Sequence, residues 1–414
     1  MILLVMTPIR HMTTSVLSQT TPPAARKRKS ECHVVLICNF PYDRQESILR
    51  YGEMLYRALE EFGMSVSIVQ PQAAILSRMS GVPASLAKWI GYIDKFILFP
   101  QTLKKLEGQF SERVIYHIVD HGNAPYLEWL RHRPHVVTCH DALAIRSALQ
   151  EIPENQTSWS GRIFQKWILR NLRSSSMVAC VSSQTEHEVR RLTGLRSERT
   201  MVIPHALNYP FRPMRSEEAA AILAPVWTGQ GIARPSRYFF HVGGTQWYKN
   251  REGVIDIFAI LRKKHPDAAL VIAGKPNTRE ITQKLIGMNC QDQVHYVGEV
   301  TSEELNALYS EAEALLFPSL AEGFGWPIIE AQAAGCPVFT TGRPPMTDIG
   351  GEAARYFEPS DVADAARIVD IALLEREKIV QQGFENAARY SLDTMIGSYM
   401  RLYETVLSRW PKSV

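Results

Sequence analysis

The sequence predicts an α/β protein made of two doubly wound, Rossmann-like domains that face each other across a cleft. Three observations support this fold class. The chain has 414 residues, more than one hydrophobic core usually serves. Short apolar runs alternate with helical patterns along most of its length, as in parallel sheets covered by helices. The alternation breaks after residue 208 and restarts at residue 238, so two similar units follow one another.

The first unit begins with a continuous apolar strand at residues 33–38. The helix that follows has a single apolar face and ends at Gly63. Further strands are predicted at residues 65–69, 114–119, 136–139, 177–181 and 200–203. We therefore assign residues 30–212 to a first domain. After a short apolar start, residues 7–29 are rich in Ser, Thr, Pro and basic residues and lack apolar periodicity, so residues 1–29 are predicted to form a disordered tail.

The second unit repeats this scheme after a predicted linker at residues 213–236. Its strands are expected at residues 238–242, 269–273, 294–297, 314–317 and 337–340. Residues 237–392 form the predicted second domain. The last segment, residues 393–414, carries an apolar stripe at helical spacing from Met395 to Trp410. We expect this helix to cross back and pack on the first domain.

Composition excludes several classes of protein. Hydrophobic residues make up 45% of the chain and charged residues 21%, as in ordinary globular proteins. The net charge of +4 is too small to indicate nucleic-acid binding. Six scattered cysteines suggest reduced thiols, and the N-terminus lacks the features of a secretion signal, so a cytoplasmic location is expected. No group of residues has the spacing of metal ligands, and no metal or cofactor is expected.

Residues 89–106 interleave large apolar side chains with lysines. Packing of a helix on the sheet is the favoured interpretation of this pattern. Peripheral contact with a membrane surface is the second interpretation.

The strongest motif is EGFGWPIIE at residues 322–330, which follows a predicted strand. Gly323 and Gly325 allow a close approach of the backbone to a ligand, and Pro327 suits the first turn of a helix. The free amides at the start of that helix favour an anion such as a diphosphate. Glu322 and Glu330 bracket this loop.

A second motif, HVGGTQWYKN at residues 241–250, leads from a strand through a Gly-Gly turn to a helix. Asn250 is predicted to cap this helix, which holds Lys249 at its start. There the ammonium group could neutralise a leaving diphosphate. The turn lacks the Gly-x-Gly-x-x-Gly pattern, so a nicotinamide dehydrogenase is disfavoured.

Both motifs resemble those of the family-four retaining glycosyltransferases, which have the GT-B fold. The resemblance extends from about residue 33 to the C-terminus, and residues 322–330 are similar to the family's paired-glutamate signature. It implies a nucleotide sugar as donor and a glycan or lipid-linked acceptor. By this likeness Glu322, Lys249 and His140 are the catalytic candidates. The implied donor-binding residues are Gly243, Gly244, Thr245, Lys249, Gly298, Val300, Gly323, Phe324, Gly325 and Glu330.

The resemblance also assigns roles within these sets. Glu330 is expected to bind ribose hydroxyls, Glu322 to orient the sugar, and His140 to lie near the sugar hydroxyls. The base is expected near residues 298–300. The acceptor is expected on the first domain, where the candidates are Asp43, Arg44, Gln45 and His121.

The sequence departs from the family pattern at three places. Gly244 stands where many members carry an arginine, so Thr245 or Arg251 is expected to help bind phosphate. His205-Ala206 replaces an Asn-Gly pair, and residues 39–47 lack the glycines common there. Because Gly244 lacks the family's arginine, a non-catalytic sensor of sugar nucleotides remains an alternative to the transferase. An epimerase is disfavoured because that class lacks the motif found at residues 322–330. A glycan phosphorylase is disfavoured because it would need a much longer chain.

Overall fold

The computed structural model describes residues 32–410, apart from residues 44, 80–82, 107–109 and 111–112. The predicted tail at residues 1–29 and the acceptor candidate Arg44 lie outside the described residues. The described chain forms two parallel six-stranded sheets, which confirms the predicted fold class. Within these residues no helix is long and apolar enough to cross a membrane.

The first sheet has the strand order β2-β1-β3-β4-β5-β6. Its first strand is buried along its whole length because helices cover both faces of the sheet, which explains its uninterrupted apolar sequence. The six strands are β1 (Cys32–Ile37), β2 (Ser65–Val69), β3 (Arg113–Ile118), β4 (His135–Cys139), β5 (Met177–Cys180) and β6 (Thr200–Val202).

The second sheet has the order β12-β11-β10-β7-β8-β9. The strand order therefore reverses between β7 and β10. The strands are β7 (Arg237–Val242), β8 (Ala268–Ala273), β9 (Val294–Gly298), β10 (Ala314–Phe317), β11 (Val338–Thr341) and β12 (Ala354–Phe357).

Helices separate the strands of the first sheet, and a π-helical turn (Asp94–Leu98) joins α2 to α3. The helices are α1 (Glu46–Glu61), α2 (Ala84–Ile93), α3 (Phe99–Leu106), α4 (Leu127–Leu130), α5 (Leu143–Ala148), α6 (Trp159–Leu172) and α7 (Ser183–Thr193).

The remaining helices cover the second sheet and end the chain. They are α8 (Ser216–Gly229), α9 (Arg251–Lys264), α10 (Arg279–Gly287), α11 (Ser302–Glu311), α12 (Trp326–Ala333), α13 (Met346–Gly350), α14 (Val362–Ala372), α15 (Arg376–Ala387) and α16 (Leu392–Ser408). Helix α8 falls inside residues 213–236, which were predicted as a linker. Its Ala219, Leu223 and Trp227 are buried in the core of the second sheet, so this segment is part of the second unit.

The last helix, α16, follows the second unit in the chain but packs on the first sheet. Its apolar stripe shares a core with α1 and with β1, β3, β4 and β5. The Tyr399 hydroxyl contacts the hydroxyl of Tyr51 and lies 3.2 Å from Thr138 Oγ1. The Tyr403 hydroxyl lies 2.7 Å from Nδ1 of His117. Helix α16 therefore ties the end of the chain to the first unit.

Candidate active site

Two loops meet where the strand order of the second sheet reverses. Residues 243–250 follow β7, and residues 318–325 follow its neighbour β10. Open α/β sheets bind ligands in the crevice at the carboxyl ends of such a pair of strands. The two sequence motifs therefore lie side by side at the edge where a ligand is expected.

The acid-containing loop leads directly into α12. Gly325 takes the N-cap position with a φ of +101°, a conformation that favours glycine, and no side chain caps the helix. Pro327 occupies the first turn, as its sequence position predicts. Without a capping side chain, the positive end of the helix dipole is suited to an anion such as a phosphate.

Gly323 places this loop in direct contact with the first unit. A Cβ atom at Gly323 would lie 1.9 Å from the carbonyl oxygen of His140, so only glycine fits. The hydroxyls of Ser182 and Thr185 donate to the Gly323 carbonyl oxygen at 2.7 and 3.2 Å. The neighbouring Phe324 is buried among the same contacts. The loop is therefore held between the two units of the protein.

Lys249 and Glu322, the two charged catalytic candidates, form an ion pair. Lys249 Nζ donates to Glu322 Oε1 at 2.7 Å, and the two side chains are only 16% and 9% exposed. The ammonium group also lies 5.4 Å from the ring centroids of Tyr248 and Phe317. Charges with so little exposure require a partner. An arriving phosphate would therefore compete with Glu322 for this lysine.

Arg251 is buried and holds the Gly-Gly turn. Its guanidinium donates to the carbonyl oxygens of Gly243 and Lys275 at 2.6 and 2.8 Å, and to Asn277 Oδ1 at 3.0 Å. These bonds tie the guanidinium to both loops through neutral acceptors, and the expected role of Arg251 at the phosphates stays a prediction. Asn250 caps α9 through a bond from Gly253 N, as predicted.

Gly244 and Thr245 continue the turn towards Lys249. A Cβ atom at Gly244 would lie 2.1 Å from Gln246 Oε1, so a larger residue would displace that side chain. Thr245 is half-buried, and it stays a predicted phosphate ligand.

Glu330 is buried one turn inside α12. Its Oε2 accepts from the Tyr309 hydroxyl at 3.1 Å, and its Oε1 accepts from Asn208 Nδ2 at 3.3 Å. Burial raises the pKa of this carboxyl to about 7, because the two hydrogen bonds offset only part of the desolvation. Sequence reasoning missed both partners. Asn208 follows the unusual His205-Ala206 pair, whereas Tyr309 belongs to no motif.

Residues 298–300, the predicted site of the base, are the last residue of β9 and the first two residues of the loop that follows it. Gly298 has a φ of +74°, and its carbonyl oxygen accepts from Gly274 N at 2.7 Å. Val300 is half-buried against the core of the second sheet. This loop lies beyond β8, at the far edge of the sheet from β10.

His140 lies beside the acid-containing loop, but its ring is committed to protein contacts. Nε2 lies 2.8 Å from the Val119 carbonyl oxygen and must donate to it, so Nδ1 accepts from Nε2 of His205 at 3.2 Å. Burial lowers the pKa of both imidazoles. The ring of His205 stacks on Trp326 of α12 at 4.6 Å. His140 therefore meets the second unit through its carbonyl oxygen.

The described acceptor candidates follow two neighbouring strands of the first sheet, Asp43 and Gln45 after β1 and His121 after β3. Asp43 pairs with Lys95, and Gln45 Oε1 accepts from Asn39 Nδ2 at 2.6 Å. His121 is buried with Nδ1 3.2 Å from Asp120 Oδ1. Each of the three candidates therefore has a polar partner within the first unit, and its role towards an acceptor stays a prediction.

A cavity of about 260 Å³ opens beside Glu322 between the two units. The first unit contributes polar side chains from the loop after β4, from α5 and from α7, and the second unit contributes the loops after β10 and β11. The polar residues of its lining are Asp141, Arg146, Gln184, Thr185, Glu188, Glu322 and Arg343. Among the described residues, no group of three His, Cys, Asp or Glu side chains could hold a metal ion.

Two protein-family models match the chain. The model described as "Glycosyltransferase Family 4" matches residues 22–209. The model described as "Glycosyl transferases group 1" matches residues 229–389. Each match covers one of the two Rossmann-like units.

Several of the similar curated proteins are mannosyltransferases by name. O-antigen chain mannosyltransferase B of Escherichia coli is 25% identical over 296 residues, which cover 69% of this chain and 73% of that protein. O-antigen chain mannosyltransferase RfbU of Salmonella typhimurium is 26% identical over 243 residues, covering 58% and 62%. The chain thus spans less than two thirds of the second relative.

Similar solved structures share the fold. A sucrose-phosphate synthase from Thermosynechococcus elongatus superposes with a TM-score of 0.66 at 18% identity, covering 91% of this chain and all of that one. WaaG, a glycosyltransferase involved in lipopolysaccharide biosynthesis, has a TM-score of 0.61 at 14% identity, covering 90% and 99%. The two family models together match residues 22–209 and 229–389, and the solved neighbours share the fold. The chain therefore belongs to the group-1 glycosyltransferases of the family-four type, with the GT-B fold.

Proposed function

We propose that the protein is a retaining, metal-independent hexosyltransferase in polysaccharide biosynthesis. It transfers mannose, or a similar sugar such as glucose, from a GDP- or UDP-sugar to a hydroxyl of a glycan or lipid-linked acceptor. The names of the curated relatives favour mannose. The ion pair of Lys249 with Glu322 at the uncapped start of α12 is the observation that carries the proposal.

In the proposed reaction, the acceptor hydroxyl oxygen forms a bond to the anomeric carbon on the face from which the diphosphate leaves. The bond between that carbon and the phosphate oxygen breaks, and the leaving phosphate oxygen takes the acceptor's proton. Lys249 and the helix start at Gly325 stabilise the charge that develops on the diphosphate. Glu322, released from Lys249, orients the sugar hydroxyls.

We propose that the acceptor enters through the cavity beside Glu322. This cavity is lined by both units and lies next to the proposed position of the donor sugar. Carboxylates and amides of this lining, such as Asp141 and Gln184, are suited to the hydroxyls of a glycan.

Substitution of Lys249 by Gln tests the proposal. Turnover of GDP-mannose and UDP-glucose is measured with the purified chain, since donors are also hydrolysed slowly by water. We expect the variant to lose about 10²–10³-fold in turnover, because a preorganised charge at the leaving group is removed. Lys263→Gln, an exposed lysine of α9, is the matched control and should keep full turnover.

The same assay with a chelator tests metal independence. Turnover should persist, because Lys249 and α12 are proposed to meet the phosphate charge. Loss of turnover that magnesium restores would contradict this part of the proposal. Equal turnover of Lys249→Gln and the unsubstituted protein would contradict the assigned role of the lysine.

One observation favours a second function, that of a non-catalytic sensor or partner. Gly244 lacks the side chain that many family members supply at this position, which reduces the positive charge at the phosphates. Binding of a sugar nucleotide without any turnover would support the sensor.

We also propose that the protein works in the cytoplasm, in peripheral contact with the inner face of a membrane. All six cysteines are free and buried, as suits a reducing compartment. A lipid-linked acceptor would be held at that membrane surface.

A further inference from the structure

We infer that one face of the first unit docks on a bilayer that contains anionic lipids. This inference rests on the membrane contact in the proposed function and assigns it to a surface. The docking face is formed by α2, the following π-helical turn and α6. Its exposed apolar side chains are Leu86, Trp89, Ile93, Ile97, Trp159 and Ile163.

The spacing of these residues places them on the outer sides of two neighbouring helical segments. Trp89, Ile93 and Ile97 follow at intervals of four residues, as do Trp159 and Ile163 on α6. Trp159 is 78% exposed, Ile97 58% and Trp89 56%. Such large apolar side chains are unusual in solvent when several lie together.

An aromatic cluster beneath the docking face holds the two segments together. The rings of Tyr92 and Phe164 stack at 5.4 Å, and Phe96 contacts both Phe164 and Trp167. A groove of about 280 Å³ runs between α2 and α6 and is lined by Trp89 and Trp159 among others. The inner sides of these helices therefore pack on the sheet, as the favoured sequence interpretation expected, while the outer sides stay exposed.

The charge on these segments favours anionic headgroups over other partners. Residues 84–106 and 159–172 contain a single acid, Asp94, which is buried and accepts bonds from Ile75 N and Leu76 N. Asp43 and Glu128, two described acids from other segments, are bonded within this layer, Asp43 to Lys95 and Glu128 to the indole of Trp167. The exposed bases of the docking face are Lys88 on α2 and Lys166 and Arg170 on α6.

The positive charge of the docking face is a local feature, because the whole chain has nearly equal numbers of basic and acidic residues, 46 and 42. Two copies of the chain would repel each other through such faces, which disfavours a dimer here. Tryptophans at the headgroup level and lysines beside them are typical of helices that lie in the plane of a membrane interface.

Vesicle co-sedimentation of the full chain tests the inference. The vesicles contain phosphatidylcholine alone or phosphatidylcholine mixed with phosphatidylglycerol. We expect binding to the mixed vesicles only. Lys166→Glu combined with Arg170→Glu should weaken that binding at least about 10-fold, because each base near an anionic surface contributes on the order of 1 kcal/mol. Trp89→Ser combined with Trp159→Ser should weaken it by a similar factor.

Two matched variants on the second unit control for charge and exposed apolar area. Lys263→Glu with Lys378→Glu makes the same change of charge, and Leu374→Ser removes an exposed leucine. Both should bind mixed vesicles like the unsubstituted chain.

Equal binding of all variants, or equal binding to both kinds of vesicle, would overturn the inference. So would a concentration-dependent dimer that the tryptophan variant abolishes, since the face would then join two copies. Donor turnover is measured without vesicles. A protein that binds vesicles but turns over no donor would therefore contradict the transferase and leave the docking face intact.

Discussion

Replacing Glu330 by Gln is expected to change the pH dependence of stability in a defined direction. Glu330 is buried against Tyr309 and Asn208, and burial raises the pKa of its carboxyl from 4.5 to about 7. In the unfolded chain the group returns to water and regains its ordinary pKa. Glutamine keeps the size and one acceptor oxygen of the side chain but does not ionise.

The sign follows from the protons bound in each state. Below about pH 4.5 the carboxyl is protonated in both states, and its burial costs little. Between about pH 4.5 and pH 7 only the unfolded state releases the proton, so stability falls as the pH rises. Above about pH 7 both states are ionised and the loss is complete. At about 1.4 kcal/mol for each pH unit, the loss amounts to about 3 kcal/mol.

The variant does not suffer this loss, although it gives up one hydrogen bond of about 1 kcal/mol at every pH. Relative to the unsubstituted protein, Glu330→Gln should therefore gain about 3 kcal/mol between weak acid and about pH 8. Hydrogen exchange of the α12 amides measures the opening free energy of both proteins at each pH. Glu303→Gln, on the exposed side of neighbouring α11, is the matched control.

The reasoning would be refuted if the opening free energies of Glu330→Gln and the unsubstituted protein differed by the same amount in weak acid and at about pH 8. It would mean that the Glu330 carboxyl is ionised over the whole pH range, or that water still hydrates it in the folded state.

Two further substitutions probe the contacts between the units. Gly323→Ala should abolish donor turnover while circular dichroism stays unchanged, because its Cβ would meet the His140 carbonyl oxygen at 1.9 Å. Gly229→Ala, which has no neighbour within 4 Å, is the control, and full turnover by Gly323→Ala would contradict the closed contact. Deletion from Met395 onward should raise hydrogen exchange in β1 and α1. Tyr399→Phe should lower the opening free energy of the same two elements by about 1–2 kcal/mol. Exchange that rises only within residues 238–390 would contradict this.

Much of the fold was predictable because parallel strands buried on both faces have uninterrupted apolar sequences. Strand β1 shows this, since four of its residues are fully buried and none alternates with a polar residue: Val34, Val35, Leu36 and Ile37. The two loops of the site were predictable for a similar local reason. Each joins a strand to a helix start and carries its glycines and charged residues within ten positions.

Contacts between residues far apart in the chain could not be predicted. Glu330 meets Asn208 across 122 positions, and His140 meets His205 across 65. No spacing rule connects such residues, because their distance depends on the tertiary arrangement of the strands and loops that carry them. Helix α8 was missed for a different reason. Pro225 and Gly229 interrupt its sequence, and they outweighed the helical spacing of its buried residues.

The position of α16 has a consequence for the synthesis of the protein. The first sheet lies near the start of the chain, but one of its two cores contains residues from β1 and from the last helix. A nascent chain that ends before Leu392 therefore leaves the apolar side of α1 and β1 without its covering helix. Domains generally fold as they emerge from the ribosome. Here the first unit can complete its core only after nearly the whole chain has been translated, and until then it offers that surface to chaperones.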